Sequence, residues 1–129
     1  MPITLVLADD HPLILDGIEN LFQLEKDFKL VARCVDGEEA LRAVRVHRPD
    51  VLVLDIRMPV RDGLSVLREM KKEKLPTRAV LLTAALDEDE LAEAVRLGVR
   101  GLVLKELAPK LLVQCIRQVH AGEIGRAHV

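Results

Sequence analysis

Five short, almost wholly apolar runs recur along the chain: ITLVLA (3–8), FKLVARCV (28–35), VLVLD (51–55), RAVLLT (78–83) and GLVLK (101–105). Each leads into a stretch whose apolar residues fall at helical spacing, so strand and helix alternate throughout. Strict alternation leaves few architectures. Strands separated by whole helices pair in parallel, and a parallel sheet must be covered on both faces because its crossover helices lie there. Runs such as LVL and VLVL, apolar at consecutive positions, fit strands buried on both sides.

The punctuation agrees. Pro12 opens a first helix with a core stripe of Ile14, Ile18, Leu21 and Phe22, and Leu15 is expected at the edge of that face or outside it. Asp36 caps a second helix carrying Ala40, Leu41 and Val44, which ends before Pro49. A third runs from Gly63 to about Lys72 with Leu64, Leu67 and Met70 inward. Asp87 and Glu90 form a D-x-x-E capping pattern for a fourth, which Gly98 stops. The last runs from Pro109 to Ala121 on Leu112, Ile116 and Val119, with Gly122 as its stop. The predicted fold class is α/β: a doubly wound, five-stranded parallel sheet in the order 2-1-3-4-5 with five helices, flavodoxin-like in its winding.

Composition removes several classes of function. With 50% apolar residues the chain is globular, and with no Trp, no Tyr and only Phe22 and Phe28 its core is aliphatic. A net charge of −2 gives no broad attraction to nucleic acid or to an anionic membrane, and no apolar run approaches membrane-spanning length. Cys34 and Cys115 lie far apart in apolar runs and form no C-x-x-C, so both are expected as buried thiols of a reducing, cytoplasmic compartment.

Ligands of an open α/β sheet bind beyond the carboxyl ends of its strands, where the strand order reverses. The first strand ends there in Asp9 and Asp10, the third in Asp55, the fourth in Thr83 and the fifth in Lys105. Three converging carboxylates repel one another unless a cation sits among them, and an all-oxygen set favours Mg2+ or Mn2+. With a lysine and a hydroxyl added, the set is a receptor for a tetrahedral dianion, and an aspartate within it can act as nucleophile in phosphoryl transfer. His11 beside the aspartates is read as a loop residue, since such a site rarely needs a nitrogen ligand.

LVLADDHPL, VLVLDIRMPVRDG, VLLTA and GLVLKE together resemble the receiver domain of bacterial two-component response regulators, over residues 3–122. The opening D-D-H-P and the closing V-x-A-G-E-I resemble the NarL/FixJ (LuxR-type) group of transcription factors. The resemblance implies that Asp55 accepts a phosphoryl group from a histidine kinase. It implies that Asp10, Asp55 and the backbone carbonyl of Arg57 ligate Mg2+, with Asp9 acting through water, and that Thr83 and Lys105 bind the phosphoryl oxygens. Such a domain is a signalling module and not an enzyme. It is expected to dimerise on phosphorylation and to bind no nucleic acid itself. Domain boundaries follow at 1–122 for the receiver and 123–129 for a linker start or tail. EIGRAHV is too short for a helix-turn-helix, so the chain is expected to be a fragment ending before a DNA-binding domain, or else a stand-alone receiver.

Three departures from the family pattern stand out. Leu102 occupies the place of a switch aromatic, and Arg57 and Ala85 flank the path of the attacking water. A haloacid-dehalogenase-like phosphatase would want an aspartate where Arg57 stands, and no G-x-G-x-x-G or G-x-x-x-x-G-K-[ST] supports a nucleotide site. The competing reading is a receiver-like interaction module that signals without phosphate. Leu15 and Leu111, where the family usually carries charge, are expected to mark a docking surface for the kinase or a second receiver on the first and last helices.

Overall fold

A computed structural model describes residues 1–85 and 87–122. Strands β1 (Ile3–Ala8), β2 (Phe28–Cys34), β3 (Val51–Asp55), β4 (Arg78–Thr83) and β5 (Gly101–Leu104) alternate with helices α1 (Pro12–Gln23), α2 (Gly37–His47), α3 (Gly63–Lys72), α4 (Glu88–Arg96) and α5 (Ala108–His120). All strand pairs are parallel and the order is β2-β1-β3-β4-β5, as the alternation predicts.

Successive residues of a strand point to opposite faces, and here both faces are buried. Leu5, Leu7, Val51, Val53, Val80, Leu82 and Val103 meet Leu15, Ile18 and Phe22 of α1 and Leu112, Ile116 and Val119 of α5. Their neighbours Val6, Ala8, Leu52, Leu54 and Leu81 meet Leu41 and Val44 of α2, Leu64, Leu67 and Met70 of α3 and Ala94 of α4. Two aliphatic cores, one per face, explain the unbroken apolar strands.

Several expectations shift. Cys34, not Val35, ends β2. Lys105 is not the last residue of β5 but the first of a 3-10 turn, Lys105–Leu107, that runs directly into α5. That helix starts one residue earlier than Pro109 and ends at His120, so Pro109 lies in its first turn. The Asp87 carboxylate does cap α4, accepting from the N–H groups of Asp89 and Glu90, but Glu90 turns away to Arg57 at 2.8 Å. In α1 the stripe is rotated: Leu15, Ile18 and Phe22 are buried, Ile14 and Leu21 are only partly so, and Leu13 stands in solvent. Arg33 on β2 holds Asp16 and Glu19 at 2.7 Å each on the polar side of α1, while Leu15 packs into the apolar core on the other. Leu111 also packs against the core in part. Leu15 of the expected docking pair is therefore core packing and offers a partner nothing, whereas Leu111 is only partly buried.

Cys34 and Cys115 are free and buried, and burial pushes the Cys34 thiol up to about 11. No helix among the described residues is long and apolar enough to cross a membrane.

Candidate functional site

The carboxyl ends of β1, β3 and β4 bring Asp9, Asp10, Asp55 and Thr83 to one edge of the sheet, and the turn after β5 adds Lys105. Asp9, Asp55 and Thr83 are buried, while Asp10 is exposed. The lysine sits at the centre. Its Nζ lies 2.8 Å from Asp9 Oδ2 and donates to Asp55 Oδ2 at 3.0 Å, so one ammonium bridges two strands whose carboxylates would otherwise repel. Placing Lys105 in a turn rather than on the strand gives its stem the reach to cross above β4 to β3 and β1, a detail the apolar run GLVLK could not reveal.

Burial is the main influence on the Asp55 carboxyl and raises its pKa; the hydrogen bond from Lys105 works against this, and the charge of Asp9 reinforces it. For Lys105 burial disfavours the ammonium, but its pairing with Asp9 and Asp55 outweighs that, and its pKa stands above the ordinary value. The lysine therefore remains a cation at any physiological pH. Three carboxylates against one ammonium leave an electron-rich, partly buried set.

That set fits a divalent cation on its own chemistry. Asp9, Asp10, His11 and Asp55 each offer one ligand atom, all within 4.8 Å of one another. Asp9 Oδ2, fully buried, is paired with the Lys105 ammonium at 2.8 Å, yet the three carboxylates still outnumber that one cation, a surplus of negative charge that a dication would balance. Oxygen donors of this kind suit Mg2+, which keeps several waters and takes one or two carboxylates. An open cavity of about 400 Å3, lined by Asp10, Ile56, Arg57, Met58, Asp62 and Glu90, gives access from one side.

The loop after Asp55 is shaped by Gly63. Its N–H donates to the Ile56 carbonyl at 2.7 Å, and a Cβ there would lie 2.4 Å from the Asp55 carbonyl oxygen, so only glycine lets α3 start against the end of β3. Asp62, whose role the sequence reading did not draw out, caps α3 by accepting from Ser65 N–H at 2.8 Å. Arg57 sends its side chain outward to Glu90 on α4. Thr83 donates its hydroxyl to the Ala85 carbonyl at 2.8 Å and thus faces the loop before α4. Leu102 is half-buried and packs on the core beneath α4.

His11, read from sequence as a loop residue, is drawn into the cluster. Its Nδ1 lies 2.8 Å from Asp9 Oδ1 and 3.1 Å from both Asp10 Oδ1 and Lys105 Nζ. Adjacency to two aspartates was the available signal.

The family described as response regulator receiver domain matches residues 5–117. The nitrate/nitrite response regulator protein NarL of Escherichia coli is 30% identical over 123 residues, covering 95% of this chain and 57% of that protein. The oxygen regulatory protein NreC of Staphylococcus epidermidis is 34% identical, covering 92% of this chain and 55% of that protein. Among solved structures, the signal receiver domain of the response regulator NarL from Mycobacterium tuberculosis superposes with a TM-score of 0.90 at 31% identity, covering 95% of this chain and 98% of that one. The DNA-binding response regulator of the LuxR family from Staphylococcus aureus gives 0.87 at 30% identity, covering 92% and 98%. The chain spans little more than half the length of the curated relatives it matches.

Proposed function

This chain belongs to the response regulator receiver family, in its LuxR-type, NarL-like group, and on that premise we propose that it receives a phosphoryl group from a histidine kinase on Asp55. The observation that carries the reading is the bridge from Lys105 Nζ to Asp55 Oδ2 and Asp9 Oδ2 at the carboxyl end of the sheet.

In the reaction an Asp55 carboxylate oxygen attacks phosphorus, the bond from phosphorus to the donor's nitrogen breaks, and an acyl phosphate forms on Asp55. Charge spreads over the equatorial oxygens in the transition state, where positioned cations do most of the work. Lys105 is held by Asp9 where it can follow that charge from the carboxylate to the phosphoryl group. Asp10, Asp55 and the Arg57 backbone carbonyl would hold Mg2+, with Asp9 acting through water, and the ion supplies further neutralisation of phosphoryl charge when bound.

Thr83 connects the site to the rest of the domain. Its hydroxyl has one proton, now given to the Ala85 carbonyl. To donate to a phosphoryl oxygen it must release that carbonyl, which frees the loop leading into α4, and Leu102 can fill the space as Thr83 moves inward. We assign the output to transcription through a DNA-binding domain beyond this chain, the activated state to a homodimer, and the location to the cytoplasm.

The test is chemical. With Mg2+ and acetyl phosphate the protein gains one acid-stable, base-labile phosphoryl group by intact mass, and Asp55→Asn abolishes the gain. Labelling that persists in Asp55→Asn, or none in the wild type, refutes the assignment and favours a module that signals without phosphate.

A further inference from the structure

The edge of the sheet opposite Asp55 carries charge of the other sign. There, at the amino ends of β4 and β5, the loops that follow α3 and α4 enclose a cleft of about 470 Å3. Lys71, Lys74, Arg78 and Arg100 line it, and none of the described residues lining it is acidic. Four cations gathered without a counter-charge stand out in a chain of net charge −2. Like charges so placed repel one another, a cost that an anion among them removes.

Two of the four have work inside the fold. Arg78 Nη1 donates to the carbonyls of Val119 and His120 at 3.0 and 2.9 Å and so ties down the end of α5. Lys71 donates to the Arg96 carbonyl at 2.9 Å. Lys74 and Arg100 are different. Both are exposed, and among the described residues neither side chain has a hydrogen bond or an ion pair. Nor do the helix ends need them. Backbone N–H groups of residues 73–75 close α3 and those of 97–99 close α4, and Lys71, Lys72 and Arg96 already complement the two macrodipoles in the last turns.

The floor between the cations is apolar, formed by Met70, Leu75, Pro76 and Leu97. Small-molecule sites combine such a surface with a few placed polar groups in a volume of about 300–1,000 Å3. Inorganic phosphate would fill a small part of this space, whereas an organic phosphate would use both kinds of wall.

We propose that this cleft binds an organic phosphate of nucleotide size, its phosphates between Lys74 and Arg100 and its apolar part on Leu75, Pro76 and Leu97. Glycine-rich loops cradle phosphate with backbone N–H groups, so their absence from the sequence does not count against a site built from side-chain cations. Because Lys74 follows α3 and Arg100 follows α4, the ligand links the two helices at the end remote from Asp55. The site stands independently of the role given to Asp55.

Calorimetric titration with ATP, adenosine, pyrophosphate and a short DNA duplex tests this, in EDTA so that no metal occupies the acidic site. The wild type is compared with the Lys74→Glu, Arg100→Glu double variant. Both positions are exposed, so the fold is retained, and an unchanged thermal unfolding curve checks that. The expected result is that ATP binds the wild type at one site, more tightly than adenosine or pyrophosphate. The double variant loses about tenfold or more in ATP affinity, the scale of one charge-assisted hydrogen bond. Amide signals of residues 74–79 and 97–100 move with ATP, while those of Asp9, Asp10 and Asp55 do not. No binding of ATP to the wild type, or equal affinity in the double variant, overturns the proposal. Pyrophosphate bound as tightly as ATP overturns it too, since the apolar floor then has no part. DNA bound more tightly than ATP, and lost in the same variant, overturns it in favour of a nucleic-acid contact.

Discussion

Helices α4 and α5 flank the same end of the sheet but are held to it by different forces. α5 buries Ala108, Leu112, Cys115, Ile116 and Val119 against the strands. α4 buries only Ala94. Its attachment is polar: Arg57 pairs with Glu90 at 2.8 Å, Arg68 Nε donates to Glu93 at 2.6 Å, and Lys71 donates to the Arg96 carbonyl at 2.9 Å. Apolar burial is strong and insensitive to small shifts in solvent conditions, whereas exposed ion pairs contribute little and weaken with salt and acid. Elements that move in signalling come from the low-stability end of a fold. The helix that follows Thr83 is the loosely held one, and one of its ties, Arg57, lies two residues after Asp55.

The sharpest way to break this contrast is truncation of the α5 face. Ile116→Ala removes a fully buried side chain and should cost about 2–5 kcal/mol in urea unfolding. A cost below about 1 kcal/mol would mean that α5 is no better anchored than α4. Next in size is the cap of α4. Asp87→Ala removes the acceptor for two N–H groups and should cost about 1 kcal/mol, seen as weakened protection of α4 amides rather than global collapse.

Smaller still is the ion pair. A double-mutant cycle on Arg68 and Glu93 should give a small coupling that fades as salt is raised. A salt-independent coupling would show that the pair is not a solvated surface contact. Acid should act on the same tie. The Arg68 hydrogen bond holds the Glu93 carboxyl below its ordinary pKa, so its contribution is complete above the ordinary glutamate value and is lost as pH falls through the depressed folded value. The protection factors of α4 amides, corrected for the intrinsic pH dependence of exchange, should therefore fall with acidification before those of α5.

Much of this could be read from residue order. Parallel strands buried on both faces leave an unmistakable apolar run, and β1, β3 and β4 begin and end where the runs do. Asp9, Asp10, Asp55 and Thr83 come to one edge because the strand topology brings them there, and Lys105 joins them from the turn after β5. What escaped was set by contacts distant in sequence. Leu13, Ile14 and Leu15 are consecutive apolar residues, and periodicity cannot rank them; packing of α1 on the sheet buries Leu15 and leaves Leu13 in solvent. Asp62 before Gly63 looks like a turn, and its capping of Ser65 shows only once the loop closes. The tie from Arg57 to Glu90 spans 33 positions and leaves no local signal.

Under the proposed function, Asp55 is expected to act on α4 through Thr83 while α5 stays fixed. Hydrogen exchange with and without beryllofluoride and Mg2+ measures this directly. The expected result is that unliganded α4 amides exchange much faster than those of α5, and that beryllofluoride changes the rates of α4 and the preceding loop while leaving the α5 core amides unaltered, with no response in Asp55→Asn. Equal protection of the two helices, or a response confined to α5, would contradict it.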